Sequence, residues 1–242
     1  LDVGRDRLGV KPVFFGFNEH YFAVASEAKA LDKLCLNSIR QLLPGSVLHI
    51  NTKSFHYSIE ESVLKLPEPT HDSLEMSYDD CVRNIHDLLV KSVKKRMTSD
   101  REIGCLLSGG LDSSIVAAIL SKEMKASGKL LRTFSIGFPD STDIIYAREV
   151  AAHIGSDHQE YIIQYEDALP RLKDVVKSIE TYDTTTVRAS TPMFLLCEWI
   201  SKNFPDKVIF SGEGSDELFC GYLYFHNAPS AEDAHHDSCR LL

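Results

Sequence analysis

The chain has 242 residues, enough for one large or two small domains. Its 43% hydrophobic and 25% charged content is ordinary for a globular protein, and no stretch approaches the ~18 consecutive apolar residues of a membrane-crossing helix. A net charge of −9 argues against general nucleic-acid binding, and the one dense basic cluster, Lys91, Lys94, Lys95 and Arg96, falls in the last turns of a predicted helix, where cations suit the helix dipole.

Residues 1–60 read as β-rich. Val10 to Phe17, His20 to Ser26 and Val47 to Ile50 are short apolar or aromatic runs, with turns at Phe17–His20 and at Pro44-Gly45. Residues 64–76, with Pro67 and Pro69 among polar neighbours, read as a linker. A helix then starts at a Ser77 cap, with Asp79 and Asp80 in its first turn and Val82, Ile85, Leu88, Leu89 and Val93 at helical period. Strands at about 102–107, 131–137, 160–164 and 207–211 alternate with helices at about 113–127, 143–155, 167–181 and 190–203. That alternation predicts an α/β domain with a parallel, doubly wound sheet, which binds ligands beyond the carboxyl ends of its strands. Six cysteines, at 35, 81, 105, 197, 220 and 239, form no CxxC pair and predict reduced thiols in a cytosolic protein. Because the chain opens at Leu1 inside a strand-like pattern, it is expected to be part of a longer protein.

Ser108-Gly109-Gly110-Leu111-Asp112-Ser113 carries the most information. An apolar run, Ile103 to Leu107, leads into two glycines, and Ser114 to Leu120 reads as a helix. Strand, glycine turn and helix start make an anion cradle, in which backbone N–H groups and the helix dipole face a phosphate. Asp112 would repel a bare phosphate, so it fits only if the two share a Mg²⁺. There is no Gly-Lys-Ser/Thr, which excludes a Walker A loop. The alternative is an ordinary Ser/Gly turn. A second segment, Ser211-Gly212-Glu213-Gly214-Ser215-Asp216-Glu217, follows another strand end, and a third strand ends at Phe134-Ser135-Ile136-Gly137. All three belong on one rim. Alone, 211–217 reads as an acidic turn capping a helix; paired with the first motif it reads as part of a site.

SGGLDS resembles the signature of the ATP pyrophosphatase (PP-loop) superfamily, whose members cut ATP between the α- and β-phosphates. The wider pattern is similar to glutamine-hydrolysing asparagine synthetases. Gly4-Arg5-Asp6 with Gly9 to Pro12, and Ser26-Glu27-Ala28-Lys29, resemble elements of that family's glutaminase domain. Glu180 to Ser190 and Ser211 to Glu217 resemble its synthetase domain. The resemblance implies a PP-loop α/β domain at 77–242, a linker at 64–76, and at 1–63 a β-rich remnant of an N-terminal-nucleophile glutaminase domain without its cysteine nucleophile.

It also implies roles for particular residues. Leu106 and Ile136 would contact adenosine. Ser108, Gly109, Gly110, Asp112 and Ser113 would hold pyrophosphate and its Mg²⁺. Ser211 and Gly212 would complete the ATP pocket. Glu213 would serve aspartyl-adenylate formation, and Asp216 the Mg²⁺. Thr185 and Arg188 would organise aspartate or the α-phosphate; a guanidinium can grip a carboxylate bidentately, although Arg188 also suits a surface position near a helix end. Glu213, Asp112 and Arg188 are the implied catalytic residues. The implied cofactors are ATP and Mg²⁺, the substrates ATP, aspartate and glutamine or ammonia, and the assembly a homodimer of the full-length protein, with no nucleic-acid or membrane partner. Another PP-loop amidotransferase, such as a β-lactam synthetase-like cyclase, and a non-catalytic nucleotide-binding fragment remain as alternatives. His235-His236-Asp237 in the polar tail reads as solvated surface.

Overall fold

The computed structural model describes residues 1–61 and 75–241. Most of the predicted 64–76 linker lies outside them. The chain forms two compact units, Leu1–Met76 and Ser77–Leu242.

Among the described residues, the first unit holds six short strands: β1 (Asp2–Gly4), β2 (Phe14–Phe17), β3 (Phe22–Ala25), β4 (Ser38–Gln41), β5 (Val47–Ile50) and β6 (Tyr57–Glu60). They form two antiparallel sheets, ordered β1-β5-β6 and β3-β2-β4. Phe15, Leu42, Leu48 and Ile50 make a small core, with Phe22 and Tyr57 packed on it. The strand expected from Val10 begins only at Phe14, because residues 6–11 are a tied loop. Asp6 Oδ1 accepts from the Leu8 and Val10 amides at 3.1 and 3.2 Å. The buried Arg5 guanidinium donates to the Lys11, Leu42 and Gly9 carbonyls at 3.1, 2.6 and 3.0 Å. Gly9 has φ +61°, and a Cβ there would lie 2.7 Å from the same guanidinium. The Gly-Arg-Asp…Gly pattern is thus a loop clamp. β1, β4 and β6 escaped the sequence reading because they are only three or four residues long; all four β4 residues are exposed.

The second unit runs α1 (Tyr78–Arg96), β7 (Ile103–Leu106), α2 (Leu111–Ala126), β8 (Arg132–Gly137), α3 (Thr142–Ile154), β9 (Asp157–Ile162), α4 (Leu172–Ile179), α5 (Thr184–Asn203), β10 (Val208–Phe210), α6 (Ser215–Phe219) and α7 (Ala231–Leu241). Its four strands are all parallel, in the order β10-β7-β8-β9. Both faces are covered, as alternation along each strand requires. Cys105, Leu107 and Phe210 face a layer built from α1, α2 and α3, with Val93, Ala117, Leu120, Met124, Ala147 and Ala151. Phe134, Leu106, Ile136 and Ile209 face α5, which contributes Leu196 and Ile200. The sheet is doubly wound.

Local chemistry explains the boundaries. Ser77 caps α1, its hydroxyl accepting from the Asp80 amide at 3.2 Å. The helical period in α1 is present, but Val82, Ile85 and Leu88 are exposed and only Val93 is buried. The helix expected at 167–181 is broken into a turn at Tyr165–Ala168, a 3₁₀ turn at Leu169–Arg171 and α4; Pro170 sits at the break and has no N–H to offer a continuous ladder. α5 starts at Thr184 rather than near 190. Asp183 caps it by accepting from the Thr186 amide at 2.8 Å and the Thr186 hydroxyl at 2.9 Å, which overrides the weak helix propensity of three threonines. Among the described residues, no helix is long and apolar enough to cross a membrane.

Candidate functional site

β7 leads through α2 to β8 and through α3 to β9; the chain then crosses back to place β10 on the other side of β7. The direction of winding reverses between β7 and β10. An open α/β sheet binds ligands in the crevice at such a point, beyond the strand ends. The loops that leave these two strands are 107–110 and 211–214.

The first loop is closed by its own hydroxyls. Ser108 Oγ and Ser113 Oγ lie 2.9 Å apart, the Ser108 amide donates to Ser113 Oγ at 3.2 Å, and the Gly110 amide donates to Ser108 Oγ at 3.3 Å. Gly109 has φ +84°, and a Cβ there would lie 2.6 Å from the Ala147 amide nitrogen on α3, so only glycine fits. Gly110 caps α2 without a side chain, which leaves the first N–H groups of the helix open to an anion. The second loop presses against the first. A Cβ on Gly212 would lie 2.7 Å from Ser113 N and 2.9 Å from Asp112 C.

Between these loops lies a cleft of about 260 Å³. Of the residues that the sequence assigns to a site, Leu106, Ser108, Asp112, Ser113, Ile136, Ser211, Gly212, Glu213 and Asp216 line it together. Gly109 and Gly110 shape the loop but do not line the cleft, and Thr185 and Arg188 do not line it either. Arg188 is exposed, one residue before Ala189, where the α5 wall begins. That wall continues through Pro192, Met193 and Leu196.

The electrostatics are one-sided. Asp112, Asp143, Glu213, Asp216 and Glu217 line the cleft, and among its described lining residues there is no lysine, arginine or histidine. Burial, then the charge of Asp216, raises the Asp112 carboxyl above its usual range. A carboxyl whose ionisation is opposed by burial and by a neighbouring acid fits a site shared with a divalent cation. Among the described residues, no group of three or more His, Cys, Asp or Glu is placed to hold a metal alone.

Glu217 is fixed from two sides: Tyr222 donates to its Oε1 at 2.6 Å, and Ser238 of α7 donates to its backbone carbonyl at 2.5 Å. The Glu217 hydrogen bond is the first cause that pushes the Tyr222 phenol up to about 12. Sequence reasoning did not single out Asp143 or Tyr222 as site residues, and it included Glu217 only within the 211–217 motif, with no role of its own. Asp143 had a signal, an acid in the first turn of the helix after a sheet strand; Tyr222 had none, because only the chain reversal at Cys220-Gly221 turns it to the cleft.

The asparagine synthase family model matches residues 84–240. Asparagine synthetase [glutamine-hydrolyzing] from Homo sapiens is 44% identical over 262 residues, covering 99% of this chain and 46% of the relative. The enzymes of the same name from Pongo abelii, 43% identical over 264 residues, and Gallus gallus, 44% over 260, match with the same coverage. The chain spans about half the length of the curated relatives it matches. Among solved structures, an NH3-dependent NAD synthetase from Campylobacter jejuni is 18% identical, covers 61% of each chain and has a TM-score of 0.39.

Proposed function

This chain belongs to the asparagine synthase family, and we propose that the complete protein makes L-asparagine from L-aspartate, spending ATP to AMP and pyrophosphate and taking nitrogen from glutamine or ammonia. The observation that carries this reading is the meeting of the 107–113 loop and the 211–217 loop at one cleft, at the reversal point of the sheet, without a Walker lysine.

The roles follow from chemistry and position. The open amides at the start of α2, with the Ser108 and Ser113 hydroxyls, receive the β- and γ-phosphates. Leu106 and Ile136, on the α5 side of the sheet, offer an apolar seat to adenosine. Asp112 and Asp216 are the residues suited to hold Mg²⁺. When bound, the cation would neutralise phosphate charge and act as a Lewis acid. Glu213, one residue beyond the close contact at Gly212, faces the cleft where an aspartate substrate would meet the α-phosphate. An oxygen of the aspartate side chain forms the new bond to the α-phosphorus, and the α–β phosphoanhydride bond breaks to release pyrophosphate. Ammonia then attacks the acyl carbon, the carbon–oxygen bond to AMP breaks, and a proton is lost to water. Thr185 and Arg188, next to the α5 wall, are suited to steering the substrate's carboxylates. Residues 1–63 are proposed as the end of the glutaminase domain.

The test uses aspartate labelled with ¹⁸O in its side-chain carboxylate. Label should appear in AMP. ADP as the nucleotide product would overturn the reading.

A further inference from the structure

Ser135 is 4% exposed yet lines the cleft, and its hydroxyl ends a chain of hydrogen bonds along two strands. β8 and β9 run parallel, with Thr133 opposite His158 and Ser135 opposite Glu160. Thr133 and Ser135 are two residues apart, so both side chains leave the same face of β8. The His158 imidazole spans them, with Nδ1 2.9 Å from Thr133 Oγ1 and Nε2 3.2 Å from Ser135 Oγ. Ser156 Oγ extends the row, 2.9 Å from Thr133 Oγ1.

The polarity of this row depends on which ring nitrogen carries the proton. Glu160 Oε1 lies 3.7 Å from Nε2. Its carboxyl is held below the usual range by Arg148 of α3, which donates to both carboxylate oxygens at 2.7 Å. A carboxylate facing a ring nitrogen favours the proton there. Burial, the largest influence, lowers the His158 pKa; Arg148 adds to this, while Glu160 and Asp157 on β9 oppose it. The ring is therefore neutral at pH 7, with a single proton to place.

We infer that His158 is a positioning residue for the nucleotide cleft: its Nε2–H donates to Ser135 Oγ, its Nδ1 accepts from Thr133, and the Ser135 hydroxyl proton is left to donate to an acceptor atom of bound ATP. With the proton on Nδ1 instead, Ser135 would donate backwards into the ring and turn only lone pairs to the cleft. The Ser108, Ser113 and Ser211 hydroxyls also line the cleft, at the two loops, whereas Ser135 offers its donor from the end of β8. Five carboxylates line the cleft, the Ser215 hydroxyl is spent on the Gly212 carbonyl and the Tyr222 hydroxyl on Glu217. The inference rests on the ATP reading of this cleft.

The test has two arms on the full-length protein. In the first, ¹⁵N NMR of the imidazoles, with His158 assigned from the His158→Gln spectrum, should show the Nε2–H tautomer at pH 7; the Nδ1–H tautomer would overturn the inference whether or not ATP binds. In the second, Mg·ATP affinity is measured for the unsubstituted protein and for Ser135→Ala, His158→Ala, His158→Gln and the double alanine variant. Loss of one hydrogen bond should weaken binding by about 3- to 10-fold in each alanine single variant. The double variant should be no weaker than either, and the glutamine amide, which can donate from near the Nε2 position, should recover most of the loss. A folded His158→Ala protein with unchanged affinity, or losses that multiply in the double variant, would overturn the inference while the ATP reading stands. Absence of Mg·ATP binding by the unsubstituted protein would instead overturn the ATP reading, and the ligand end of the chain with it. Should His158→Ala not fold, Ser135→Ala and the tautomer decide.

Discussion

Gly212 has no room for a methyl group. Its Cβ would press on the Ser113 amide and the Asp112 backbone, neither of which can move without shifting the start of α2. Gly212→Ala is expected to cost about 1–3 kcal/mol in urea unfolding, as overpacking does, and to weaken Mg·ATP binding by moving one loop off the other; an unchanged midpoint and affinity would show that the two loops do not seat together. Asp112 gives a prediction of opposite sign for stability. Its folded pKa is raised above its unfolded value. The protonated form is thus favoured by folding, and its contribution is present at low pH and lost as pH rises through the folded pKa. At pH 7 the ionised carboxylate works against the unliganded fold. Asp112→Asn should therefore unfold at an equal or higher urea concentration at pH 7, with the difference shrinking towards pH 3, while pyrophosphate release falls on the order of 10²-fold or more, as for loss of a transition-state charge contact. A destabilised but active Asn variant would make Asp112 a structural cap. At this scale the two glycine motifs were readable because a short loop that carries both glycine and acid has few structural uses. Tyr222 was not readable, because its place follows from the left-handed backbone turn at Cys220, just before it.

α5 shows how one cap sets a wall of the cleft. The helix places Ala189, Pro192, Met193 and Leu196 along one side, although Thr184, Thr185 and Thr186 are poor helix formers and Pro192 removes a rung from the helix ladder. Asp183 offsets this at the N-terminus. Hydrogen bonds to its carboxylate, first from the Thr186 backbone amide, hold its pKa below the usual range. A depressed carboxyl contributes stability above its unfolded pKa and loses it as pH falls through the folded value. Asp183→Ala should lower the thermal midpoint at pH 7, Asp183→Asn should largely keep it, and the gap between Ala and the unsubstituted protein should close in the acid range below the ordinary aspartate pKa. A gap that persists at the lowest pH would assign the effect to something other than the cap. The core of this helix was legible from its apolar period, but its first six residues were not, because propensity pointed away from a helix and the cap is one side chain. The early start of β9 escaped for a related reason: Asp157 and His158 are held by backbone partners on β8.

At the scale of the whole chain, alternation of strand and helix was enough to give the parallel sheet and its ligand-binding rim, since each strand needs apolar residues on both faces and each helix on one. The first unit was less legible because its strands are three or four residues long. Among its described residues, its core cluster holds four buried hydrophobic side chains. The second unit has two cores of its own, one on each face of the sheet, and every residue that lines the cleft comes from between Leu106 and Tyr222. A fragment comprising residues 77–242 should therefore fold without the first unit and bind Mg·ATP with an affinity close to that of the 242-residue chain. The measurements are a cooperative urea transition and a Mg·ATP titration on both proteins. The Asp112→Asn substitution in the shorter one serves as a check that binding occurs at this cleft. If the fragment folds but binding is lost, the first unit supplies or orders part of the site. If it does not fold, the two cores of the second unit are insufficient by themselves, and the division at Ser77 marks compactness without independence.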